Sequence, residues 1–255
     1  MKPPVFTDYL VIAFCCCLWA TNEVNANEQS VQTGAFDRRA SIIQLVGDTA
    51  AQAYQPIMSI DEPIEWDIYV SPAYDPAKPA GLLVYISPTD SGQIRRDWKS
   101  VMDDSNLIWI AANHSGNRVN PLRRVTYAVM AVAVIANDYK IDKSRVYVSG
   151  FSGGGRIASI VATEYAAVFK GAIYNCGVNF WEEKTEKSVE LIKNNRFVFL
   201  TGSKDFNLRD TKRVFSKYEK AGVEQIKLTV IPFMGHSNPR KKDYAEAISF
   251  LDKRD

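Results

Sequence analysis

Arg145-Val-Tyr-Val-Ser-Gly-Phe-Ser-Gly-Gly-Gly-Arg156 runs from a short apolar strand, through Gly150-Phe151-Ser152-Gly153-Gly154, into a helix-like pattern. The pentapeptide has the G-x-S-x-G form of a nucleophile elbow, a sharp strand-to-helix turn that lifts a serine hydroxyl above the end of a sheet. Glycines two before and two after the serine let strand and helix approach closely. Alone the motif is weak, because about one chain in ten of this length would carry it by chance. Its surroundings have to decide.

Working outward, Gly81-Leu-Leu-Val-Tyr-Ile86 and Leu107-Ile-Trp-Ile-Ala-Ala112 are continuous apolar runs, as expected of strands buried on both faces of a parallel sheet. Residues 122–139 form a long helical pattern rich in Ala and Val. After the motif, Ile157, Ile160 and Val161 give a helix an apolar stripe at the 3.6-residue period. Gly171–Asn175, Arg196–Leu200 and Gln225–Ile231 read as further strands, with helices at Asp210–Ala221 and around Tyr244, Ala247, Ile248 and Leu251. Upstream, Glu65–Val70 alternates like an outer strand, and Ser41–Ala53 suggests a helix within an otherwise polar 27–60. Strands regularly separated by helices predict a mainly parallel α/β sheet flanked by helices on both faces. No repeat or linker divides it, so one domain is expected over 27–255.

In such sheets ligands collect outside the carboxyl ends of the strands. Three chemically suited residues fall there. Ser152 follows the strand ending at 149, Asp205 follows the strand at 196–200, and His236 follows the strand at 225–231. The chain has only two histidines, His114 and His236, so a histidine in that slot is informative. A serine hydroxyl is too weakly acidic to attack a carbonyl unaided. A histidine within hydrogen-bond reach takes its proton, and a carboxylate on the far ring nitrogen fixes the tautomer. Asp210 is the poorer alternative acid because it lies within the following helix. A developing oxyanion needs preorganised donors. The Gly153 N–H and Thr89, in the loop Ser87-Pro-Thr-Asp-Ser-Gly92, are the candidates.

Residues from about 64 to 252 resemble an α/β-hydrolase, and within that fold they are similar to exported esterases of the poly(3-hydroxybutyrate) depolymerase and feruloyl esterase type. Gly150-Phe-Ser-Gly-Gly154, Gly202-Ser-Lys-Asp205 and Gly235-His236 carry the resemblance. It implies Ser152 as nucleophile, Asp205 as acid and His236 as base, acting on carboxylic esters through an acyl-enzyme. The substrate would be a small or polymeric ester, and no organic cofactor or metal is called for. The chain departs from the family at Ser87-Pro88-Thr89, where the usual oxyanion segment contains His-Gly, and in lacking the paired cysteines of secreted members. A serine peptidase using the same three residues and a non-catalytic binding protein that kept the fold are the alternatives.

The remaining features bound the setting. Tyr9–Ala20 is an apolar stretch too short to span a bilayer, and Val24-Asn25-Ala26 offers small residues at the two positions a signal peptidase reads. Residues 1–26 are therefore expected to be a signal peptide, with a retained anchor as the alternative. The mature chain would be periplasmic or secreted, with no stable membrane insertion. Cys15, Cys16 and Cys17 would leave with that segment, so Cys176 would stay as a lone buried thiol. Apolar content of 46%, charged content of 24% and a net charge of +2 suit an ordinary globular protein rather than a nucleic-acid binder. His114, Phe180 and Trp181 lie beyond strand ends and are candidates to line a substrate cleft. The short segment from 179 to 195 leaves room for a small cap at most. Arg240-Lys241-Lys242 reads as a solvated helix start. No cluster of His, Cys and carboxylates has metal-site spacing.

Overall fold

The computed structural model describes residues 31–179 and 186–253 of the 255-residue chain. The segment expected to act as a signal peptide, Phe180 and Trp181 lie outside the described residues. In chain order the elements are β1 (Gly34–Ala40), α1 (Ile42–Ala51), β2 (Ile64–Val70), β3 (Ala80–Ile86), α2 (Arg96–Asp104), β4 (Leu107–Ala112), α3 (Pro121–Asp138) and β5 (Ile141–Phe151). They continue with α4 (Gly153–Glu164), β6 (Gly171–Asn175), α5 (Glu186–Lys193), β7 (Arg196–Gly202), α6 (Leu208–Lys220), β8 (Ile226–Ile231) and α7 (Lys241–Leu251).

The strands form one sheet in the order β1-β2-β4-β3-β5-β6-β7-β8. From β4 to β8 every pairing is parallel, whereas β1–β2 and β2–β4 are antiparallel. Successive side chains of a strand point to opposite faces, and the apolar residues divide accordingly. Leu82, Val84, Val146, Val148, Phe197 and Phe199 face a core closed by α1, α3, α4 and α6. Leu83, Tyr85, Trp109, Tyr147, Ile173 and Val198 face a second core closed by α2 and α7. This explains why the central strands read as unbroken apolar runs: both of their faces are covered.

Local chemistry accounts for the element ends. Asn120 Oδ1 caps α3 by accepting from the Leu122 N–H at 2.8 Å, with Pro121 at the first helical position. Ser41 and Gln44 form a reciprocal capping box at the start of α1. At the far end of the fold, Asp252 accepts from Arg145 Nη2 and from the Tyr147 hydroxyl, both at 2.7 Å, and so ties the end of α7 to β5.

Three elements differ from the sequence expectation, one of them α5, a helix in the stretch read only as a short segment from 179 to 195. Glu65–Val70 is not the outer strand, because β1 pairs with β2 along its whole length, from Gly34 opposite Val70 to Ala40 opposite Ile64. β1 is largely exposed and carries Asp37, Arg38 and Arg39 in succession, so it lacks the apolar alternation that marks a strand. Helix α2 was also absent from the sequence reading. It buries Trp98, Val101 and Met102, one face at i, i+3 and i+4, within an otherwise charged segment. Trp98 stacks on Tyr244 of α7 with ring centroids 4.1 Å apart. No helix among the described residues is long and apolar enough to cross a membrane.

Candidate active site

The site lies at the carboxyl ends of β5, β7 and β8. At Ser152 the chain turns with φ 55° and ψ −121°, a conformation that L residues adopt only where the surroundings impose it. Here they do. The Ser152 N–H donates to the Asn175 carbonyl at 2.8 Å, and its own carbonyl accepts from the Arg156 N–H at 3.2 Å. Helix α4 leaves the turn pressed against β3, so close that a Cβ at Gly154 would stand 1.9 Å from the Ile86 carbonyl oxygen. The glycine is thus a requirement of the elbow, not a convenience.

Asp205 and His236 arrive on loops that are stitched to each other. The Ser203 N–H donates to the Ile231 carbonyl, the Lys204 N–H to the Met234 carbonyl, both at 2.9 Å, and the Phe233 N–H to Ser203 Oγ at 2.8 Å. The result is a continuous line of hydrogen bonds. Ser152 Oγ is 2.9 Å from His236 Nε2, and His236 Nδ1 is 2.9 Å from Asp205 Oδ1. An ionised carboxylate can only accept, so Nδ1 carries the proton and Nε2 is left to accept from the serine hydroxyl.

Asp205 has a fully buried side chain. Burial opposes its charge, but the Asn207 N–H, Cys176, Thr201 and His236 together outweigh that and hold its carboxyl below the usual range. Asn207 N donates to Oδ1 at 3.0 Å and Thr201 Oγ1 to Oδ2 at 2.7 Å. Asp210, the alternative acid, is exposed on the first turn of α6 and paired with Arg213 at 3.0 Å. Cys176 is buried with φ 52°, as expected for its burial, but it is more than filler. Burial and the neighbouring Asp205 push its thiol up to about 12. Its sulfur, an Asp205 oxygen and a His236 nitrogen lie within 4.8 Å of one another, the one grouping of potential metal ligands among the described residues. Asp205 and His236 are already engaged in the hydrogen-bonded line, and the sulfur donates to the Ser237 carbonyl at 3.5 Å.

The other sequence candidates fare differently. Gly153 begins α4, directly after the serine. The Thr89 N–H donates to Ser87 Oγ at 3.2 Å, and its hydroxyl lies 3.0 Å from the same oxygen. His114 has φ 51° and lines a cavity of about 310 Å³ with Arg39, Glu62, Glu65, Asn113 and Tyr127, which none of Ser152, Asp205 and His236 lines.

Sequence reasoning missed an aromatic rim. Phe206 is 75% exposed yet its ring stacks on His236 at 4.1 Å, and Phe233 is 83% exposed with φ 61°. The signal was adjacency, since each follows a loop residue of a strand end. Also missed was Arg124 on α3, only 3% exposed. Its Nη2 donates to the Ser87 carbonyl at 2.8 Å, no carboxylate among the described residues pairs with it, and burial pulls its pKa down to about 10.

Comparison with known proteins bears on the fold and on family resemblance. Residues 101–196 match the family described as Esterase PHB depolymerase. No curated protein sequence matches the chain. Among solved structures, a ferulic acid esterase superposes with a TM-score of 0.59 at 12% identity, covering 86% of this chain and 98% of that one. A thermostable esterase gives 0.56 at 17% identity over 75% of this chain and 59% of that one. The dipeptidyl peptidase 4 of Porphyromonas gingivalis gives 0.56 at 15% identity over 76% of this chain. The chain spans only about a third of that peptidase, 34% of its length. Its fold is that of the α/β-hydrolases, and within that fold the chain resembles the poly(3-hydroxybutyrate) depolymerase and feruloyl esterase group.

Proposed function

We propose that the chain is a serine hydrolase of carboxylic esters, with Ser152 as nucleophile, His236 as general base and acid, and Asp205 as the carboxylate that holds the imidazole. The observation that carries this reading is the unbroken line from Ser152 Oγ through His236 to Asp205, with both hydrogen bonds at 2.9 Å. The match to an esterase family over residues 101–196 supports ester rather than other carbonyl chemistry.

Ser152 Oγ forms a bond to the ester carbonyl carbon while its proton passes to His236 Nε2. The carbonyl π pair moves onto oxygen, beside the Gly153 N–H at the positive end of α4. The oxyanion collapses, the alcohol leaves with the proton from Nε2, and the acyl group stays on Ser152. Water, deprotonated by the same nitrogen, then releases the acid. Asp205 keeps its charge throughout and stabilises the imidazolium. The exposed rings of Phe206 and Phe233 offer an apolar edge to a substrate group. In this reading residues 1–26 direct export and are removed near Ala26, which N-terminal sequencing of the mature protein would test.

A fluorophosphonate probe, followed by a panel of aryl and alkyl esters beside peptides, tests the activity. Labelling that disappears in Ser152→Ala together with ester turnover supports the reading. Peptide turnover without ester turnover would favour a peptidase on the same residues, the class of one structural neighbour. A folded protein that takes no probe and turns over neither would end both.

A further inference from the structure

We propose that the side-chain amide of Asn117 is the second oxyanion donor, set in place by the buried guanidinium of Arg124. This rests on the ester-hydrolase reading of Ser152.

The loop after β3, where a second donor was expected, is poorly disposed to act. The Thr89 N–H is already engaged by Ser87 Oγ at 3.2 Å, and Pro88 has no N–H to offer. The loop between β4 and α3 reaches the same place. The Asn117 N–H donates to the Pro88 carbonyl at 3.0 Å, and the Gly116 N–H donates to Asp90 Oδ1 at 3.2 Å. The Asn117 side-chain amide abuts Gly153, the residue after the proposed nucleophile. A Cβ at Gly153 would stand 2.1 Å from Asn117 Oδ1 and 3.0 Å from Nδ2. The volume in which residue 153 would carry a side chain is filled by this amide.

Arg124 orients it. Nη1 approaches Asn117 Oδ1 at 3.4 Å while Nη2 donates to the Ser87 carbonyl at 2.8 Å. A guanidinium can only donate, so Asn117 turns its oxygen to Arg124 and its nitrogen away. Nδ2 has no partner among the described residues, and Asn117 is an exposed residue whose amide abuts Gly153, the residue after Ser152. A buried cation without a counter-ion is costly to keep, and among the described residues Nε of Arg124 has no hydrogen-bond partner either. The charge is accounted for by what it faces. It polarises the Asn117 amide, making Nδ2–H a stronger donor, and adds positive potential where the carbonyl oxygen gains its negative charge. The oxyanion formed when Ser152 Oγ attacks thus accepts from the Gly153 N–H and from Asn117 Nδ2–H. No proton is transferred to it.

The test uses Asn117→Ala and Asn117→Asp in the full chain, with ester kinetics and the affinity for phenylboronic acid, which forms a tetrahedral adduct on an active serine without turnover. Asn117→Ala should lower kcat by about 10²–10³-fold, the loss typical of one oxyanion donor, with little change in KM. Boronate affinity should fall with it. Asn117→Asp should lose at least as much activity without losing thermal stability, because its carboxylate pairs with Arg124 while repelling the oxyanion. Arg124→Met should lower kcat and boronate affinity, with partial recovery in Arg124→Lys; if these variants do not fold, the Asn117 pair carries the test. Near-normal kcat and boronate affinity in Asn117→Ala would overturn the assignment. If Ser152→Ala still abolishes turnover in that case, only the donor is wrong. A wild-type protein that takes neither fluorophosphonate nor boronate would remove the donor and the hydrolase reading together.

Discussion

The Asn207 side-chain amide donates to the Cys176 carbonyl at 2.7 Å, joining the start of α6 to the end of β6 behind the acid loop. Asn207 also gives its backbone N–H to Asp205 Oδ1. Replacing it with alanine keeps the N–H but leaves a buried carbonyl unpaired, at a residue already in the left-handed region. Asn207→Ala is expected to destabilise the fold by about 1–3 kcal/mol, measured by urea unfolding. It should also lower kcat through misplacement of Asp205, with KM less affected.

Asp205→Asn tests the carboxylate in two ways. Turnover should fall on the order of 10⁴-fold, because an amide allows the wrong imidazole tautomer. Stability should respond to acid. The Asp205 pKa is lowered in the fold, so between that value and the unfolded value of about 3.9 the unfolded chain binds more protons, and stability rises with pH. The contribution is therefore complete above the unfolded value and is lost as pH falls through the folded one. Denaturant titrations of wild type and variant should run parallel near neutrality and converge in acid.

Gly154→Ala places a methyl group against the Ile86 carbonyl, a backbone atom that cannot rotate away. Helix α4 or β3 must shift. A loss of about 1–3 kcal/mol is expected from such overpacking, read as a lower urea midpoint at unchanged slope. Labelling of Ser152 by fluorophosphonate should slow with it, since the turn is held between the same two elements.

Asp67 behaves in the opposite sense to Asp205. It faces Asp37 across the β1–β2 ladder. Burial first, and then Asp37, raise its pKa to about 6. Between about 3.9 and 6 the folded state binds more protons, so stability falls as pH rises across that window. Asp67→Asn should be more stable than wild type above it and indistinguishable in strong acid, as thermal unfolding at several pH values would show.

The parallel part of the fold was legible because its strands are buried on both faces, and apolar runs such as Leu82–Ile86 have no other ready explanation. The site was legible for a related reason. Ser152, Asp205 and His236 each follow a readable strand, so sheet topology alone brings three distant loops to one edge. What escaped reading lacks such a pattern. β1 is held by its ladder to β2, with only Phe36 and Ala40 packed partly against the core, too few to read as an apolar alternation. Arg124 follows Arg123 in the first turn of α3, where a charge reads as solvated, and only three dimensions show that its guanidinium is buried and reaches the Ser87 carbonyl. Thr89 could be read as a donor candidate, but the engagement of its N–H by Ser87 Oγ depends on side-chain rotation that sequence does not encode.

His236 follows β8, which among the described residues is the last strand in chain order and pairs with β7 alone. If Ser152 and His236 act as proposed, a chain emerging during synthesis carries its nucleophile before its base. On that reading Ser152 lacks its partner at His236 Nε2 until the loop beyond Ile231 is in place, and a copy truncated before that loop is expected to take no fluorophosphonate label.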